Sequence, residues 1–261
     1  MKLLKEILER NRLLGIMGAF FLVLAAVLGC YAMVNSVKIL GINSMIKPIK
    51  FALSTAIYAW TMAYLLFYVN NQRAVKWYSI LALATMLFEN GVITIQALLG
   101  KRSHFNYDDP LSGLLYGFMG LMIVWLTTAT LVISIRFIRQ KTYSVNKTIA
   151  LSIKLGLILF VVFSFFGGYM SAVNSHNIGG EMGKGGLDFV DWSTLFGDLR
   201  VGHFFGIHSL QAIPLFGFFI SKKALDRSDT KLMVWLFALI YTSCVCLTIW
   251  QALNGKPFMG F

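Results

Sequence analysis

Asp198–Gln211, written DLRVGHFFGIHSLQ, sets Asp198, Arg200, His203, His208 and Gln211 among residues that are otherwise mostly apolar or small. Imidazole suits zinc, copper or iron, and haem needs one or two axial histidines. Guanidinium and amide groups instead suit an anion or a small polar solute. On a continuous helix at 100° per residue, Arg200, His203, His208 and Gln211 share an arc of roughly 140°. Pro214 follows and deprives the Leu210 carbonyl of its helical partner, so a kink is expected there.

Glu89 is the only acid inside an apolar segment of this chain, and Gln96 lies seven residues on, on the same helical face. An ionised carboxylate in hydrocarbon is costly, so Glu89 is expected to be neutral or paired, and an intramembrane acid is by default a functional candidate. The other two histidines, His104 and His176, fall in segments on the same side of the membrane as the start of DLRVGH. Tyr58 and Gln251 face the same region from neighbouring segments.

Three readings follow. The leading expectation is an outward-facing His/Glu/Gln site binding a transition metal ion or haem for redox or metal-linked chemistry. His104, His176, His203 and His208 would be its ligands. The five-residue spacing of His203 and His208 departs from the four that stacks two ligands on one face. A metal-dependent hydrolase with Glu89 as base is a subset of this reading. The alternative is a small-solute or proton-coupled transporter, or a receptor-like binding protein, using Glu89, Gln96, Arg200, Gln211, Gln251 and Tyr58, with Lys47 and Lys50 adding to an attractive entry field. The third is a structural polar cluster. No HExxH, nucleophile elbow or triad spacing is present, so enzyme or non-enzyme does not follow.

The elements that must position these residues are membrane spans. Of 261 residues, 57% are hydrophobic and 13% charged, against roughly a quarter charged in soluble proteins. Seven segments can each cross a core of about 30 Å: about 13–34, 51–69, 77–99, 111–135, 149–169, 199–220 and 232–253. Residues 1–12 form an amphipathic surface helix, with Lys5–Glu9 and Glu6–Arg10 at four-residue spacing. The expected fold is therefore all-α, a single seven-helix transmembrane domain over 13–261.

The net charge of +12 is a topology signal. Fifteen of the 23 basic residues fall in alternate loops on one side, including Arg73, Arg136, Lys222 and the charged turn Asp226–Lys231 with Arg227 and Asp229. This bias puts the N-terminus in the cytoplasm and the C-terminus outside, with the chain in the inner cell membrane, the bilayer as its partner and no nucleic acid. Cys30, Cys244 and Cys246 have neither zinc nor redox spacing. The glycine-rich stretch Met170–Gly197 lacks the phosphate-loop pattern and reads as a flexible lid or re-entrant loop.

Gln96-Ala-Leu-Leu-Gly-Lys101 and Gln251-Ala-Leu-Asn-Gly-Lys256 match at five of six positions, at an offset of 155. Three spans, a linker span and three more would give a parallel pseudo-repeat. KPIKFALS (Lys47–Ser54), SHFN (Ser103–Asn106), GDLRVGHFFGIHSLQ (Gly197–Gln211) and QALNGKPF (Gln251–Phe258) resemble a bacterial seven-span membrane protein family with no assigned activity. The resemblance implies the fold and carries over no site residue.

Overall fold

A computed structural model of the chain describes residues 2–223 and 228–260; Asp226 and Arg227 of the charged turn lie outside the described residues. Seven helical segments are long and apolar enough to span a membrane: Arg12–Ala32, Ile46–Leu66, Gln72–Leu98, Pro110–Arg139, Lys147–Ala172, Leu199–Lys222 and Asp229–Leu253. The protein is a multi-pass helical membrane protein. Most of them begin before the expected apolar stretch, because polar ends such as Gln72–Lys76 continue the backbone ladder beyond the hydrophobic core, whereas the first two stop before its expected end, at Ala32 and Leu66. The chain divides into two compact units, Met1–Phe67 with Gln72–Leu126, and Tyr68–Asn71 with Thr127–Phe261.

The first unit begins with α1 (Lys2–Arg10) and α2 (Arg12–Ala32), separated by extended Asn11, whose side chain caps Leu14 N at 3.1 Å. Both expected ion pairs of α1 are present, Glu6–Arg10 at 2.7 Å and Lys5–Glu9 at 3.9 Å. Arg10 also lies over the Tyr64 ring and donates to Tyr64 O at 3.3 Å, and Ile7 is buried. The helix is thus docked on one side, with Leu3 and Leu4 exposed for a lipid surface beside the exposed Lys5–Glu9 pair.

A ribbon not visible in the sequence follows: β1 (Lys38–Ile39) pairs antiparallel with β2 (Ile42–Asn43). Its two-residue tip, Leu40-Gly41, has positive φ at both positions, the geometry that matches strand twist in tight hairpins. Asn43 seals the ribbon to its flanking helices, donating to Ala32 O and Asn35 O and accepting from Met45 N. Then come α3 (Ile46–Leu66) and α4 (Gln72–Leu98). Ala52, Ala56, Ala59 and Ala63 are buried along one stripe of α3. Such small residues let membrane helices approach closely. The first half of α5 (Pro110–Arg139) completes this unit.

In the second unit α6 (Lys147–Ala172), capped by Asn146, leads to a loop stapled by β3 (Asn177–Ile178) and β4 (Gly197–Asp198). Further bonds cross the connection: an inner bridge pairs Gly186 with Ser193, and Leu199 N donates to His176 O at 2.9 Å. The sixth span is two helices, α7 (Leu199–Ile207) and α8 (Ser209–Lys223), interrupted at His208. The span is loosened there, not ended: His208 keeps right-handed helical geometry, its N–H bonds Phe204 O at 3.1 Å, and Ala212 N bonds His208 O at 2.9 Å. Pro214 sits inside α8, and its ring presses on the turn before it, so the interruption falls N-terminal to the proline. α9 (Ser228–Leu253) closes the unit through Ile213, Val234 and Ala238, with the Phe216 and Phe237 rings stacked at 4.2 Å.

The matched hexapeptides have one local geometry. Gly100 and Gly255 adopt φ +70° and +71°. Lys101 N bonds Gln96 O at 2.8 Å and Lys256 N bonds Gln251 O at 3.2 Å. Gly100 N and Gly255 N bond Ala97 O and Ala252 O. Both are Schellman caps, which demand glycine at the left-handed position. The shared capping geometry by itself accounts for the glycine.

Candidate functional site

On α4, Thr85, Glu89, Val92 and Gln96 recur at helical spacing and lie within about 60° of arc. Each is buried, with Glu89 only 4% exposed. Buried polar atoms are nearly always hydrogen-bonded, and an orphaned one costs about 1–3 kcal/mol. Here Thr85 Oγ1, Glu89 Oε1 and Gln96 Oε1 have no hydrogen-bond partner, nor has Oδ1 of adjacent Asn90. Four orphaned oxygens within three turns of one helix are not a packing solution. They are carbonyl, carboxyl and hydroxyl oxygens, and all of them can accept.

The nitrogens of the same side chains are engaged. Asn90 Nδ2 donates to Thr55 Oγ1 at 3.0 Å and Met86 O at 2.9 Å. Gln96 Nε2 donates to Ser112 Oγ at 3.1 Å, and Ser112 Oγ donates onward to Asp109 Oδ2 at 2.7 Å. A hydrogen-bonded line therefore runs from Gln96 to Asp109, at the end of the unit that carries the ribbon. Ser112's N–H and hydroxyl, with Lys101, hold the Asp109 carboxyl down to about 2, so Asp109 is an anion at any ordinary pH. Glu89 is nine residues from the end of α4, about 14 Å along the axis.

The other sequence-predicted residues of this unit do not join the stripe. Tyr58 OH makes a short hydrogen bond with Tyr78 OH, eleven residues, about 16 Å, along α4 from Glu89. His104 sits in an aromatic cluster with Phe51 and Tyr116 and contacts Ser103 Oγ at 3.2 Å. Sequence reasoning missed Thr85, Asn90, Ser112 and Asp109 as site residues. The available signal was the polar spacing around Glu89, at positions −4, +1 and +7.

In the second unit the polar residues of Asp198–Gln211 separate into three local sets. Arg200 donates to both oxygens of Asp198 and to Asp191 Oδ2 at 3.0 Å, and makes a short contact with Asp191 O. Asp198 also accepts from Ser193 N at 2.9 Å. Burial pushes the Asp198 carboxyl up, but the hydrogen bonds and charge of Arg200 outweigh it and hold it low. His176 Nδ1 donates to Asn177 Oδ1 at 2.8 Å and lies 3.8 Å from Asp198 Oδ1. Burial and the Arg200 charge push His176 down to about 4, against the pull of Asp198. This set pins the β3–β4 loop to α7.

His203 Nδ1 donates to Phe163 O at 2.9 Å, and its ring lies against Gly167 of α6. His208 Nδ1 pairs with Gln211 Oε1 at 3.1 Å, one of the sequence-predicted pairs brought together, with the ring 4.3 Å from Phe204. Gln251 Nε2 donates to Pro257 O at 2.6 Å, holding the chain beyond the α9 cap. The shared arc of Arg200, His203, His208 and Gln211 presumed an unbroken helix. The turn at His208 is loosened, and these side chains bond separate partners rather than one another, His208 and Gln211 excepted.

Among the described residues, no three His, Cys, Asp or Glu side chains are gathered as a metal ion would require. Ser209 Oγ of α8 is a further buried oxygen without a partner, but it stands alone; the α4 stripe gathers several, and could take a proton, a water file or a small hydrogen-donating or cationic solute. Comparison with known proteins adds no analogue: no family model, no curated protein and no solved structure matches the chain.

Proposed function

We propose that this is an inner-membrane protein, N-terminus cytoplasmic and C-terminus outside, that exchanges a proton at Glu89 in binding or transporting a small polar solute. One observation carries this reading: a buried carboxyl oxygen of Glu89, without a hydrogen-bond partner, stands in line with two further orphaned acceptors. A purely structural polar residue would be satisfied by its neighbours. Gln96, Ser112 and Asp109 supply a hydrogen-bonded route from the ribbon end toward Glu89, and water must span the last seven residues, about 10 Å. The bias of basic residues places that ribbon end outside. The metal reading has no comparable support, because among the described residues no three His, Cys, Asp or Glu side chains are gathered at one point.

The test is reaction of the protein in liposomes with dicyclohexylcarbodiimide, which modifies protonated carboxyls in apolar surroundings. Mass spectrometry should locate the adduct at Glu89, with a yield that falls as pH rises. Absence of labelling at every pH, or a yield indifferent to pH, sinks the proposal. A reporter fused to the C-terminus and active only in the cytoplasm would overturn the orientation.

A further inference from the structure

At the ribbon end of the first unit lies a pocket of about 380 Å³, lined chiefly by Lys38, Lys101, Arg102, Asp108 and Asp109. We propose that it seats the phosphodiester of an anionic membrane lipid. Its frame is preorganised. The positive-φ turn at Gly100 brings Lys101 and Arg102 round, and the ribbon tip Ile39–Leu40 forms one wall. Buried Asn106 forms another, donating to Arg102 O at 2.7 Å and accepting from Asp108 N at 3.1 Å. Lys101 is held by Asp109 at 3.0 Å and Arg102 by Asp108 at 3.1 Å. Lys38 has no ion-pair partner among the described residues. Three cations and two carboxylates thus leave one positive charge, which matches the single negative charge of a phosphodiester. The paired lysine and arginine retain further N–H donors for its oxygens.

Depth selects a lipid over a soluble anion. Gly100–Arg102 follow the end of α4 at Leu98 within four residues, and α5 starts at Pro110. The chain turns back at Gly100, so the pocket stays in the headgroup layer, roughly 5–7 Å thick on each side of the hydrocarbon core. Leu98, Leu99 and Leu111 beside it are exposed, at 50%, 65% and 63%, where acyl chains would lie. A basic residue at the membrane surface contributes about fivefold to binding of an anionic lipid.

The experiment is native mass spectrometry of the full chain from detergent carrying equal phosphatidylglycerol and phosphatidylcholine. Retained phosphatidylglycerol should exceed phosphatidylcholine. The excess should fall about fivefold in Lys38→Ala and more than tenfold in Lys38→Glu, while Lys76→Glu, at the opposite end of α4, leaves it unchanged. Lys38 is exposed, so these variants should fold. Equal retention of the two lipids, or an excess indifferent to Lys38→Glu, overturns the proposal. So does saturable binding of inorganic phosphate that depends on Lys38 without any lipid preference, which would make the ligand a soluble anion.

Discussion

Replacing Glu89 by methionine should stabilise the protein. The side chains are similar in length, and Glu89 is 4% exposed with Oε1 lacking a partner. The substitution therefore removes an orphaned acceptor from a low-dielectric interior and leaves the volume filled. Relief of such a group amounts to about 1–3 kcal/mol, a rise in melting temperature of about 2–10 °C for a chain of this size. Glu89→Ala removes the same acceptor but opens a cavity that costs about 2–4 kcal/mol, so it should be less stable than Glu89→Met by about that amount. The assay is thermal unfolding in detergent at fixed pH, comparing both variants with wild type. Stability gained would mark Glu89 as a residue kept at the expense of packing. If Glu89→Met instead lowers the melting temperature by several degrees, Glu89 makes a favourable structural contact and the orphaned-acceptor argument fails.

Three further outcomes are expected. Arg200→Met should destabilise by about 3–5 kcal/mol, since it strands a carboxylate with a fully buried side chain, and Asp198→Asn in the same chain should recover much of that loss; thermal unfolding of the single and double variants checks the coupling. The β3–β4 loop should loosen in acid. His176 is pushed down to about 4 from 6.5, so the unfolded loop binds the proton first; the contribution is complete above about pH 6.5 and is lost as pH falls toward 4, whereas that of Asp198 is lost only at lower pH. Hydrogen exchange across residues 173–198 should show the first step, and His176→Asn should remove it. Gly100→Ala and Gly255→Ala should each cost about 1–2 kcal/mol from the left-handed backbone alone, since the nearest atoms to the added carbons are 3.5 and 3.7 Å away; unfolding midpoints read this directly.

Much of the fold was legible because span formation is a local property. Length, hydropathy and the scarcity of charge mark all seven segments, and four-residue spacing marks Glu6–Arg10 and Lys5–Glu9. The ribbon over Lys38–Asn43 was not legible, because its tip is Leu40-Gly41 rather than the usual Asn-Gly, and a two-residue strand has no period to detect. The interruption at His208 was displaced from Pro214 because a proline acts on the turn before it.

The candidate site divides in the same way. Sequence alone singled out Glu89 and Gln96, since an acid and an amide seven residues apart in an apolar helix are costly wherever the helix packs. It also singled out Arg200, His203 and His208, but it could not say what answers them. Whether a polar group is satisfied depends on atoms from distant parts of the chain, and only the tertiary structure supplies these. It gave Arg200 to Asp191 and Asp198, His203 to a carbonyl of α6 and His208 to Gln211. Along α4 it left Thr85, Glu89 and Gln96 with oxygens that nothing meets. Hydropathy prescribes where a helix must cross the bilayer; only packing decides which of its polar atoms are left to bind something else.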